Sequence, residues 1–190
     1  MFRFYSSREL SRMLRIPLNR WKRWSREFLP PDPLGGLQSG YARQFSPREA
    51  FIVYLGGFLV SGLGFSIPQA RQVISDLRGW MKGKILEGHL VRHAAGNGHR
   101  GVWPRYEIHI VDKGNAAAAG GGTGRLTYLM REIERRPEGA RGNPARWQES
   151  YTETIIKASS DKIEGAFPPV RRLLDITDLA DRFVSLLNAH

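Results

Sequence analysis

Pro17 constrains this chain more than any other single residue. A proline lacks the backbone N–H and clashes with the turn before it, so one helix cannot run through. Before it, Leu10, Met13 and Leu14 recur at i, i+3 and i+4, a single apolar helix face. Ser6 or Ser7 can cap that stretch, and Glu9 falls in its first turn, where the helix dipole favours an acid. After it, Leu18, Trp21, Ser25 and Phe28 form one stripe, and Pro30, Pro31 and Pro33 end the pattern. Two short helices are expected, over 7–16 and from Leu18 to about Phe28, joined by a tight turn.

The surface left over is basic. Arg8, Arg12 and Arg15 lie away from the apolar face of the first stretch, and Asn19, Arg20, Lys22, Arg23 and Arg26 fill the second. Residues 1–26 hold eight Lys+Arg and one acid, Glu9. Residues 1–90 carry 14 basic and 6 acidic side chains, net +8, whereas 91–190 carry net +3. Arg outnumbers Lys 23 to 6, as a codon bias would produce, but a bias does not concentrate charge in one segment. A local excess of this kind attracts polyanions through counterion release and long-range steering.

Other classes drop out. The longest apolar run, 50–64, is interrupted by Gly56, Gly57, Gly62 and Gly64, so no span of the ~18 apolar residues a membrane requires is expected. No secretory signal is expected from Met1–Tyr5, and with zero Cys there are no disulfides, thiolate metal sites or cysteine nucleophiles. A cytoplasmic protein is expected.

Along the rest of the chain, Tyr41, Arg43 and Phe45 alternate after a glycine-rich stretch, predicting a short hairpin over 34–45. Ser46-Pro47-Arg48-Glu49 starts a helix to about Val60, and Ser66-Ile67-Pro68-Gln69 another to Trp80 or Leu86. Residues 87–104 read as a linker. Beyond it, 106–111 reads as a strand, 125–133 as a strand or helix, 151–158 as a β-rich run and 175–188 as a closing helix. Ala116–Gly124 is a flexible loop by composition.

The order of helix, basic helix, hairpin and two further helices resembles the DNA-binding domain of the MerR family of bacterial regulators. Five segments carry the resemblance. Tyr5–Leu14 is similar to the family's opening helix and Leu18-Asn19-Arg20-Trp21-Lys22-Arg23-Trp24 to its recognition helix. Phe28-Leu29-Pro30-Pro31 is similar to the exit into the wing, Gly40–Ser46 to the wing, and Gly64–Ala70 to the start of the fourth helix. The resemblance covers residues 5–80, and Ala42 is an extra residue before the wing arginine.

The resemblance implies roles. Asn19, Arg20 and Arg23 would face base edges or phosphates, Lys22 and Arg26 the backbone, and Arg43 a phosphate from the wing, with Tyr41 beside it. Ser7, Arg8 and Trp24 complete the candidate DNA-binding set. A guanidinium suits such work because its fork grips phosphate or guanine at two points. The family's usual dimerisation helix is missing, since Lys82–Leu86 is short and holds Gly83.

Candidate chemistry elsewhere is weaker. His93, His99 and His109 match no common metal-ligand spacing. Gly122-Thr123-Gly124-Arg125 lacks the lysine of a phosphate loop. Ser159, Ser160, Asp161 and Lys162 form no nucleophile–base set, and Glu107, Glu132, Glu134, Glu149 and Glu153 read as surface charges.

The expected fold class is α+β: a mostly helical winged helix-turn-helix module (1–86), a linker (87–104) and a small antiparallel-sheet-plus-helix unit (105–190). The expected function is sequence-specific binding of double-stranded DNA in transcription regulation, without enzymatic activity, cofactor, metal or membrane partner. RNA polymerase or another protein at the C-terminal unit, or a second copy of the chain, is the further partner expected. The alternatives are an architectural, excisionase-like DNA-binding factor, and a small enzyme or ligand-binding protein with its site in 104–190.

Overall fold

The computed structural model describes residues 4–32, 42–90, 104–112, 126–137, 147–156 and 170–189. The protein is α+β, with helices in the N-terminal part and an antiparallel sheet after them. It divides into two units, 1–97 with 179–190, and 98–178.

In the first unit, β1 (Tyr5–Ser6) leads directly into α1 (Ser7–Met13). Ser6, rather than Ser7, is the cap: its Oγ accepts from the Glu9 N–H, and Glu9 Oε2 accepts from the Ser6 N–H at 2.7 Å. The helix stops earlier than the expected residue 16. Arg15 adopts the left-handed conformation, φ 54°, and the Arg15 and Ile16 N–H groups donate to the carbonyls of Arg12 and Ser11. This Schellman arrangement satisfies the last carbonyls and turns the chain. Ser11 Oγ also donates to Ile16 O at 2.7 Å. Pro17 then caps α2 (Leu18–Phe28) without a side-chain bond.

The stretch read as a hairpin pairs differently. Its last two residues form β2 (Gln44–Phe45), which is antiparallel to β1, Tyr5 opposite Phe45 and Ser6 opposite Gln44. Residues 34–41 of that expectation lie outside the described residues. Phe45 is buried and meets the Trp21 ring edge-on at 5.7 Å between centroids, so β2 closes over one flank of α2.

Two capped helices follow, α3 (Pro47–Ser61) and α4 (Ile67–Met81), both with full capping boxes and an early proline. α3 is apolar on nearly every side, burying Ala50, Phe51, Val53, Leu55 and Leu59, as a central helix must. α4 does not end in a linker at 87. It continues over Lys82–His89 with i→i+5 bonding, burying Ile85.

The second unit holds β3 (Arg105–Asp112), β4 (Leu126–Pro137), β5 (Trp147–Ile156) and β6 (Val170–Asp175), all antiparallel in the order β5-β4-β3-β6. The 125–133 stretch, open between strand and helix in the sequence, is therefore strand, and β6 is a strand that the sequence pattern does not announce. Tyr106, Ile108, Ile110, Tyr128, Met130 and Leu174 are buried along one face. α5 (Ile176–Asn188) is capped by Asp175, whose Oδ1 accepts from the Asp178 N–H at 2.9 Å. From Leu179 onward α5 groups with the N-terminal helices: Phe183 meets Phe51 at 5.4 Å and Tyr54 at 5.5 Å. The expected boundary at 105 puts that helix wholly in the C-terminal unit, and its apolar stripe places it otherwise.

Candidate nucleic-acid interface

α2 is sharply two-sided. Trp21, Trp24, Ser25 and Phe28 are buried, whereas Asn19, Arg20, Lys22, Arg23 and Arg26 are all exposed. The buried side is fixed by α3 through two adjacent glycines. A β-carbon on Gly57 would lie 2.2–2.7 Å from Trp24 ring atoms, and one on Gly56 2.3–2.6 Å from the Phe28 ring. Such distances are closer than carbon atoms approach, so the α3 backbone itself seats both rings. Burying an aromatic side chain this fully is worth about 1.5–3 kcal/mol, and here it also sets the rotation of α2 about its axis.

On the outward side, Asn19, Arg23 and Arg26 stand at i, i+4 and i+7, with Lys22 on one flank and Arg20 on the other. Arg20 extends over the Trp24 ring, its Cζ 5.9 Å from the ring centroid. Among the described residues Arg8, Arg12, Arg15, Lys22, Arg23 and Arg26 make no ion pair with an acid. Cations elsewhere do: Arg71 pairs with Glu27, Arg131 with Glu153 and Arg135 with Glu149. Arg8, Arg12 and Arg15 are exposed on α1 and its turn.

Two candidates stand differently from expectation. Trp24, expected at the DNA, is 7% exposed and packs on Gly57; its work is to hold α2. Arg43, expected on a phosphate, turns inward. Its Nη1 donates to Pro30 O at 2.9 Å, its Nη2 to Glu49 Oε1 at 3.2 Å, and its Cζ lies 5.4 Å from the Phe45 ring. It ties the exit of α2 to the start of α3. Ser7 is half-buried at the first turn of α1. Tyr41 lies outside the described residues.

Glu49 anchors that tie. Burial raises its carboxyl, but the Ser46 N–H and hydroxyl and the Arg43 guanidinium together hold it below its ordinary value.

A cleft of about 480 Å³ opens beside α2. Lys22, Arg26 and Ser7 line it together with the apolar Leu29, Pro30 and Phe45. No motif marks it, since its walls come from α1, α2 and β2 and meet only when β2 pairs with β1.

Elsewhere, Glu149 and Glu153 are engaged by arginines, and Glu132 accepts from the Tyr106 hydroxyl at 3.2 Å. Among the described residues no group of three or more His, Asp or Glu is placed to hold a metal, and no helix is long and apolar enough to cross a membrane. His93, His99, the Gly122–Arg125 segment and Ser159–Lys162 lie outside the described residues. The chain matches no protein-family model, no curated protein and no solved structure.

Proposed function

We propose that the N-terminal unit binds double-stranded DNA with α2 in the major groove, as the resemblance to MerR regulators implies, and that the protein is a sequence-specific transcription regulator acting in the cytoplasm. One observation carries the reading. The outward side of α2 presents Asn19, Arg20, Lys22, Arg23 and Arg26, all exposed, on a helix locked from behind by Trp21, Trp24 and Phe28. A groove about 12 Å wide admits a helix, and cations without acidic partners keep their charge for phosphate. Arg20 and Arg23 offer forks for guanine, and Asn19 offers the amide pair that adenine takes. Arg8, Arg12 and Arg15 extend the positive surface along the backbone.

Selection from a random duplex pool tests this. The protein enriches one family of sites, and Asn19→Ala or Arg23→Ala relaxes preference at individual base pairs by about 1–3 kcal/mol each. Recovery of unenriched sequence, with affinity set by salt alone, contradicts sequence-specific binding.

A further inference from the structure

We infer that the cleft beside α2 is a seat for one sugar–phosphate unit, its anion held by Lys22 and Arg26 and its ring resting on Leu29, Pro30 and Phe45; this rests on the DNA reading above. The size, charge and lining of the cleft point the same way. Its volume of about 480 Å³ lies within the ~300–1,000 Å³ of small-molecule sites and exceeds what a phosphate group fills. Lys22 and Arg26 are one turn apart on α2, exposed, and make no ion pair among the described residues, so both can close on one anion. Leu29, Pro30 and Phe45 make part of the lining apolar, which a bare phosphate does not use and a sugar ring does. Asp32 also lines the cleft. Ser7 also lines the cleft, and its hydroxyl is suited to donate to a phosphate oxygen.

The consequence is a division of labour on one helix. Lys22 and Arg26 fix register by holding a strand and carry no sequence information, whereas Asn19 and Arg23 read bases. The same chemistry is offered by a duplex strand and by a free mononucleotide, and the test separates them.

The full-length protein is titrated with its selected duplex, with a series of that duplex each bearing one uncharged methylphosphonate linkage, and with deoxyadenosine monophosphate. Wild type loses about tenfold in affinity at one linkage, the size of one charge-assisted hydrogen bond. Lys22→Gln and Arg26→Gln each weaken the unmodified duplex and are insensitive at that linkage, whereas Arg23→Gln loses sequence preference and keeps the drop. Circular dichroism of each variant confirms the fold. If both glutamine variants keep the full drop at every linkage, the seat is overturned while the DNA reading stands. If wild type binds no duplex but binds the mononucleotide through Lys22 and Arg26, the seat stands and the DNA reading falls. Binding to neither overturns both.

Discussion

Trp24 and Gly57 approach so closely that only a hydrogen fits between ring and helix: a β-carbon on Gly57 would sit 2.2 Å from Trp24 Cζ3. This approach decides which way α2 points its arginines. Gly57→Ala gains about 1 kcal/mol in helix propensity but forces an overpacked core, at a cost of about 1–3 kcal/mol. Because the obstacle is a buried ring rather than a flexible chain end, the loss wins. A lower urea midpoint is expected, together with weaker duplex binding as α2 is pushed outward. Gly79, in α4, has nothing within 4 Å of the position a β-carbon would take, so Gly79→Ala is expected to stabilise by about 0.5–1 kcal/mol. If both alanines stabilise, the close approach does not hold α2.

Arg43 differs from the outward-facing arginines of α2. Its guanidinium is occupied by Pro30 O, Glu49 and the Phe45 ring. Arg43→Met is expected to lower stability by about 1–3 kcal/mol, because it leaves the Glu49 carboxylate without its cation. The salt dependence of duplex binding should be unchanged. A slope smaller by about one would restore Arg43 to the phosphate-binding set.

Glu49 makes part of the stability depend on pH. Its carboxyl is lowered in the folded state from an ordinary 4.5. A depressed acid contributes stability that is full above the unfolded value and is lost as pH falls through the folded one. Glu49→Gln keeps a capping partner for Ser46 but removes the charge. The variant is expected to be less stable at pH 7 by about 0.5–1 kcal/mol, since the group is partly solvated. The gap should close as pH falls below the ordinary 4.5 and on through the lowered folded-state value. Denaturant unfolding of both proteins across that range measures it, and a gap constant with pH would mean that the Glu49 charge contributes nothing.

Much of this fold is legible in the sequence because its signals are local. Ser46-Pro47-Arg48-Glu49 and Ser66-Ile67-Pro68-Gln69 each specify a helix start, and both helices begin there. Pro17 divides α1 from α2 as its chemistry requires. The features that escape sequence reading depend on residues distant along the chain. β6 reads Val-Arg-Arg-Leu-Leu-Asp, with like residues adjacent rather than alternating, because as an edge strand it leaves Leu173 half exposed. β1 and β2 are two residues each and exist only by pairing with one another. Trp24 reads as a DNA-facing residue as long as Gly56-Gly57 reads only as an interruption of an apolar run. Two adjacent glycines also leave a helix backbone open to close approach by large rings from a neighbour, and Trp24 and Phe28 are those rings. Arg43 escapes for the converse reason: its acceptors, Pro30 O and Glu49, lie 13 and 6 residues away and no spacing rule joins them.

The proposed function stands or falls on whether the outward cations of α2 meet DNA phosphates and bases. The decisive measurement is duplex affinity over a range of salt, for wild type and for the Arg20→Ala, Arg23→Ala double variant. Wild type is expected to bind tightly and with a steep salt dependence. The double variant is expected to bind more weakly at every salt, with a slope smaller by about one for each phosphate it no longer neutralises. Equal affinity and equal slope for the two proteins would contradict the assignment of α2 to DNA.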